Sequence, residues 1–210
     1  MTTSTPILHF THQSNLVTIL DEGGLLCDRE CRSSNLNTRN IAYTSLKQKR
    51  AETVVEVPPG GTLDDYVPFY FGPRSPMMLA YMNGKVTGRA EDQSELVYLV
   101  SHAETVAEQG LPFAFTDGHP IVEPRFFSND LADLVEVDFD LMRGKYWFDT
   151  DAYPDRKRRR QAEFLVWQRM PLELIDYFVV MTAGRRTEIE RMSQSMGWDI
   201  PCRVHSAWYY

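Results

Sequence analysis

The chain has 210 residues, 43% of them hydrophobic and 12% aromatic, and a formal net charge of −7. That length fits one domain, and that composition builds a real core and excludes a disordered chain. The acidic balance excludes a surface coated for indiscriminate nucleic-acid binding, although the five cations at 156–160 can still grip phosphate at one place.

No apolar run approaches the roughly 18 residues of a membrane span. Residues 1–6 carry neither the basic nor the apolar segment of a secretory leader, so the expectation is a soluble, cytoplasmic protein without a membrane partner. Cys27, Cys31 and Cys202 are odd in number and suggest no disulfide framework. No His pair or second Cys pair completes a zinc set around Cys27 and Cys31, so no metal is expected.

Residues 7–12 alternate as a first strand, and Asn15 can cap a helix over 16–22 that Gly23 and Gly24 stop. Residues 27–40 are polar and irregular, long for a connection inside a compact domain; such loops are usually functional or mobile. Residues 41–50 suit a short helix ending in Lys47, Lys49 and Arg50. Residues 53–57 read as a strand stopped by Pro58, Pro59, Gly60 and Gly61. Residues 66–71 form an aromatic strand in which Pro68 indicates an edge or a bulge. A helix at 77–82, a strand at 96–100, a helix at 103–109 closed by Gly110 and a strand at 113–115 follow. The turn Asp117-Gly118-His119 opens a stretch to residue 155 that has no steady period and is rich in aromatics, with a partly helical acidic-apolar piece at 131–139. Strands at 164–167 and 177–181, a helix at 187–196 stopped by Gly197 and a short strand at 203–205 complete an α+β pattern.

The basic run leads straight to Glu163, which opens the apolar strand. A carboxylate there is partly desolvated and rigidly held, suited to steadying a developing positive charge; a solvated strand flank beside a charged surface loop is the plainer alternative. Nucleotide-binding glycine loops, the nucleophile elbow and the His-Glu-x-x-His metal motif do not occur. Singly, His9, Thr11, Arg50, Tyr70 and His119 each read as well as core or surface residues.

Their order is more specific. A first strand with His-x-Thr, a central aromatic strand with Tyr and a late strand opened by Glu resembles the His-Tyr-Glu arrangement of the diphtheria-toxin-like and poly-ADP-ribose-polymerase-like ADP-ribosyltransferases. Leu8-His9-Phe10-Thr11-His12, the stretch from Tyr66 through Pro-Phe-Tyr-Phe-Gly-Pro-Arg-Ser-Pro to Met78, Phe115-Thr116-Asp117-Gly118-His119 and Ala162-Glu163-Phe164-Leu165-Val166 are similar to the DarT family, the DNA-modifying toxins of the DarT–DarG toxin–antitoxin pair. The similarity runs over about residues 6–208, and the Pro-Phe-Tyr-Phe motif is its most specific part.

This resemblance implies a single ADP-ribosyltransferase domain over 1–210, with a central split β-sheet, short helices and a long substrate-recognition loop before the catalytic Glu. It implies a toxin that transfers ADP-ribose from NAD to a thymine base in single-stranded DNA, in a sequence-dependent way, and so blocks replication. A DarG-type macrodomain antitoxin is the implied protein partner, and no metal is involved. Glu163 and Arg50 become the catalytic candidates, with Arg39 or Lys49 as alternatives for the cation. NAD binding falls to His9, Phe10, Thr11, Asn15, Gly24, Arg50 and Tyr70, with a loop at about 32–50 folding over it. DNA reading falls to the loop at about 119–162, with His119, Phe127, Trp147, Tyr153, Arg158, Arg159 and Arg160 as contacts and Phe126 and Tyr146 as further stacking surfaces. An NAD glycohydrolase and an idle single-stranded nucleic-acid-binding module are the competing readings.

Overall fold

A computed structural model describes residues 4–36, 38–144 and 146–210. Its strands are β1 (Pro6–His12), β2 (Gly24–Leu26), β3 (Tyr66–Tyr70), β4 (Leu96–His102), β5 (Phe113–Thr116), β6 (Phe127–Ser128), β7 (Glu163–Trp167), β8 (Arg169–Pro171), β9 (Tyr177–Val180) and β10 (Cys202–Val204). The helices used below are α1 (Gln13–Asp21), α2 (Asp28–Ser33), α3 (Thr44–Glu52), α4 (Pro76–Met82), α5 (Ala103–Glu108), α6 (Phe139–Arg143), α7 (Arg156–Arg159) and α8 (Ala183–Ser195).

Eight strands form one sheet in the order β10-β9-β4-β1-β3-β7-β5-β6, and β2 and β8 pair separately. Within the large sheet β10–β9 is parallel and the other pairings are antiparallel. The central strands are covered on both faces, which is why β4 and β7 read as nearly unbroken apolar runs rather than alternating ones. One core holds Ile7, Val97, Leu99 and Phe178 against Leu16 of α1 and Ile189 of α8. The alternate residues Leu8, Phe10, Tyr98 and Val179 pack on the other side with Met78 and Tyr81 of α4.

The sheet is nearly divided at its middle. β1 pairs with β4 along its whole length, from Pro6↔His102 to His12↔Leu96, but meets β3 in register at Leu8↔Tyr70 alone. Where a second backbone rung would follow, the ring of His9 donates from Nδ1 to the carbonyl of Pro68 at 2.8 Å. A strand residue's N and O lie on the same edge, so Pro68 turns its donor-free nitrogen to β1 as well. The proline read as an edge or bulge signal therefore marks an internal edge.

Several expectations are corrected. His12 is the cap of α1, its ring accepting from Ser14 N; Asn15 lies inside the helix with its side chain buried. Residues 53–57 form no strand, because the Pro-Pro-Gly-Gly turn reverses the chain after one bridge, Val54↔Thr62. The irregular stretch 27–40 contains α2, whose amide at Glu30 donates to Cys27 Sγ. α8 begins at Ala183, four residues early, because the Thr182 side chain caps it by accepting from Arg185 N. β2 and β8 are three residues each, too short to show a period. Their approach requires a glycine: a Cβ at Gly24 would stand 2.7 Å from the Met170 carbonyl.

Candidate active site at the split of the sheet

Glu163 is the first residue of β7 and stands opposite Tyr70 of β3, beside the place where β3 parts from β1. Its amide donates to Thr116 Oγ1 at 3.1 Å, and that hydroxyl donates to Gly118 O at 2.7 Å, so the backbone of β7 is locked to the end of β5. The carboxylate is not solvated: the residue is 4% exposed. Arg50, 9% exposed, reaches it from α3, with Nη1 donating to Oε2 at 2.8 Å. Of the three cations weighed, it is Arg50 that meets Glu163. Lys49 is exposed on α3, and Arg39 pairs with Glu91 at 2.7 Å.

Burial alone would depress the Arg50 guanidinium; the Glu163 carboxylate and its hydrogen bond overcome this and hold it above its ordinary range. Burial, then the Glu163 charge, pushes the Tyr70 phenol up, so it stays neutral and can donate. Burial lowers His9 and His119, which keeps both rings neutral near pH 7. The bond to Pro68 puts the His9 proton on Nδ1 and leaves Nε2 as an acceptor.

A cleft partly open to solvent runs along the split. β1 lines it with His9, Phe10 and Thr11, α1 with Asn15, β2 with Gly24 and β3 with Tyr70. Arg50, His119 and Glu163 lie in the same cleft. The structure thus brings every residue proposed for the cofactor into one space with both proposed catalytic residues. It adds Thr18 and Ile19 of α1 and its C-cap Glu22, which follow Asn15 at helical spacing; the 15, 18, 19, 22 period was the available signal. Lys47 is a further addition: it binds Asp28 Oδ1 at 2.7 Å and ties α3 to α2 beside the cleft.

Asn15 closes this space. Its carboxamide donates to Thr11 Oγ1 at 3.0 Å and Arg39 O at 2.9 Å, and accepts from Arg39 N at 2.6 Å. One buried side chain therefore pins the connection between α2 and α3 to the mouth of the cleft.

The expected DNA contacts divide. His119 lines the cleft. Tyr153 is exposed, with the Arg156 guanidinium 4.3 Å above its ring. Tyr146 and Phe148 are exposed as a pair, and Trp147 is half-buried between them in sequence. Phe127 does not offer a stacking face: it is buried in β6 against Val55, Leu63, Ala114 and Leu165. The open basic strip expected at 156–160 is corrected as well. Arg158 binds Asp117 and Asp155, Arg159 pairs with Asp138 at 3.2 Å, and buried Arg160 donates to the carbonyls of Gly144, Tyr146 and Pro73. Arg158 and Arg159 are thus paired with carboxylates, and Arg160 is turned inward to carbonyls, with its Nε left buried and without a partner among the described residues; Lys157 remains exposed. Among the described residues, no three His, Cys, Asp or Glu side chains gather as a metal site.

A buried carboxylate–guanidinium pair thus stands at the split of the sheet, beside the His-x-Thr strand, in a fold of the α+β class. The family model described as DarT, ssDNA thymidine ADP-ribosyltransferase, matches residues 8–210, and the chain belongs to that family. A DNA ADP-ribosyl transferase from Thermus sp. strain 2.9 is 38% identical over 208 residues, covering 98% of this chain and 96% of the relative. Two solved structures of Thermus sp. 2.9 DarT superpose closely. The one in complex with ADP-ribosylated single-stranded DNA gives a TM-score of 0.92 at 35% identity, covering 99% of this chain and 97% of the other. The one in complex with NAD+ gives 0.88 at 34%, covering 99% and 98%.

Proposed function

We propose that this chain transfers ADP-ribose from NAD to a thymine base in single-stranded DNA, with Glu163 and Arg50 as the reacting pair. The observation that carries the residue assignment is the 2.8 Å contact between them in the cleft. Family membership supports the reaction, and the NAD+ and DNA complexes of the Thermus relative support the donor and the acceptor.

The residues fit such a donor. The cleft is lined by apolar groups with a few convergent polar ones. His9, through its free Nε2, and Thr11 hold the cofactor's polar groups, and Tyr70 packs beside it. The connection at 34–43, held by Asn15, covers it, within a single domain whose second long excursion, at 119–162, reads the DNA.

NAD brings a glycosidic bond whose cleavage leaves positive charge on the ribose, as in glycoside chemistry. Glu163 holds its negative charge at that ring in a desolvated place, where one carboxylate acts most strongly. Arg50 orients Glu163 through the hydrogen bond to Oε2. It also lends its charge to the acceptor, favouring a thymine that has lost its ring proton. Its raised pKa argues for this electrostatic role over proton abstraction. Single-stranded DNA meets Tyr153, Trp147 and the Tyr146–Phe148 pair, with Arg156, which lies over the Tyr153 ring, and exposed Lys157 as the cations. The physiological reading is a toxin acting in the cytoplasm, opposed by a DarG-type macrodomain antitoxin; family membership supports it.

The test is incubation with labelled NAD and a thymine-containing oligonucleotide. The expected outcome is label on the DNA. Nicotinamide release with unlabelled DNA would make the protein a glycohydrolase, and binding without turnover a nucleic-acid-binding module.

A further inference from the structure

The segment between β5 and β7 is long, yet it is closed where it leaves and re-enters the sheet. At its start stands Asp117 and at its end Arg158. The guanidinium grips the carboxylate with both branches, Nη1 to Oδ1 at 3.1 Å and Nη2 to Oδ2 at 2.9 Å. The side chains are 20% and 10% exposed. Arg158 also binds Asp155 through Nε at 2.9 Å, and its own carbonyl accepts from His119 N at 2.9 Å. A Cβ on Gly118 would run into the Arg158 guanidinium, so a side chain there would displace the ion pair. Asp117 also accepts from Phe126 N at 3.2 Å, drawing the next turn of the loop to the same point.

This neck is bonded directly to the backbone of Glu163. Thr116, adjacent to Asp117, accepts from Glu163 N and donates to Gly118 O. The loop is thus anchored at the Glu163 backbone, while β1 and Asn15 of α1 lie across the seam on other elements.

We infer that Asp117 and Arg158 are positioning residues: they hold the acceptor base over the activated ribose, and so set the partition of ADP-ribose between DNA and water. This inference rests on the transferase reading above. In both branches the C1–N bond to nicotinamide breaks and nicotinamide leaves with the electron pair. In one, a C1–N bond forms to the base, which gives up its ring proton to solvent. In the other, a C1–O bond forms to a water, which gives up a proton. An ill-placed base loses to water, and a displacement of about 1 Å is enough to cost on the order of 100-fold in a positioned reaction.

The variants are Asp117→Asn and Arg158→Lys, which preserve size or charge and remove the two-pronged ion pair. Nicotinamide release and label on DNA are measured in the same reaction, with NAD affinity by calorimetry and cooperative melting as controls. The expected result is NAD affinity at the wild-type value and a transfer-to-hydrolysis ratio lowered by about tenfold or more, with the double variant no worse than the singles. Asp117→Glu, which retains the charge, should shift the ratio less and supplies a second folded variant. A wild-type ratio in both variants, or transfer and nicotinamide release falling in parallel, overturns the inference. Wild-type protein that releases nicotinamide and never labels DNA overturns instead the transferase reading.

Discussion

Arg50 and Glu163 lie 113 residues apart and share a 2.8 Å hydrogen bond with almost no solvent on either side. Neither charge can be removed without stranding the other. Breaking a buried pair from one side costs about 3–5 kcal/mol, since the partner is left uncompensated. The pair proposed to react is thus also a stability element.

Glu163→Gln should abolish DNA modification, with a loss on the order of 100- to 1000-fold or more, as expected for the principal charge-stabilising group. Glu163→Ala should also lower the melting temperature, because Arg50 loses its carboxylate. Arg50→Ala should reduce transfer to DNA far more than NAD affinity. Near-normal turnover by a folded Glu163→Gln protein would remove Glu163 from the mechanism. Transfer and NAD affinity falling together in Arg50→Ala would make Arg50 a cofactor clamp alone.

Asn15→Ala should weaken NAD binding by about tenfold and leave the chemical step of bound substrate near normal. Three hydrogen bonds hold the chain at Thr11 and Arg39, and each is worth roughly 0.5–1.5 kcal/mol net. Calorimetry and single-turnover rates at saturating NAD separate the two effects; a rate loss at saturation would place Asn15 in the reaction rather than in the covering loop.

Stability should depend on pH through His9 and His119. Burial lowers both from 6.5, so the unfolded chain takes up these protons first as pH falls. The proton excess in the unfolded state means that stability drops below about pH 6.5 and is flat with respect to these groups above it. Urea midpoints of His9→Gln and His119→Gln should show shallower slopes in that window than the wild type. Identical slopes would mean that neither ring titrates low.

DNA affinity should respond to Lys157 and Arg156 more specifically than to the rest of the basic run. Replacing both by Ala should flatten the salt dependence of single-strand binding while the fold is retained. Arg158→Ala and Arg160→Ala should instead lower the melting temperature, since their guanidiniums serve Asp117, Asp155 and three carbonyls. Turnover on a fully paired duplex should fall well below that on the same single strand, because pairing hides the ring nitrogen of thymine and denies its bases a stacking partner. Equal turnover on the two forms would mean that the DNA enters by another face.

The strands most legible in the sequence were those buried on both faces. β4 and β7 are continuous apolar runs that no polar register interrupts. Strands of three residues such as β2 and β8 owe their existence to the partner that reaches them, and no local pattern announces this. Arg50 was found through resemblance. It is the buried residue of a helix whose neighbours Lys47 and Lys49 offer no apolar period, and its partner is remote in the chain. The basic run was misread for a similar reason. Cations are rarely buried, so five in a row read as surface; the groups that satisfy Arg158 and Arg160 include Asp117, 41 residues earlier, and Pro73, 87 earlier.

The single rung between β1 and β3 has a further consequence. It makes the sheet two plates joined at one seam, with little shear transmitted from one to the other. His9, Thr11 and Asn15 belong to the plate of β1 or the helix following it; Glu163, Asp117 and the whole excursion between β5 and β7 belong to the plate of β3. Most of the proposed donor contacts thus lie on one plate, with Tyr70 meeting them across the seam, and the proposed acceptor contacts lie on the other; substitutions in the excursion between β5 and β7 should therefore change which bases are read while NAD affinity is kept.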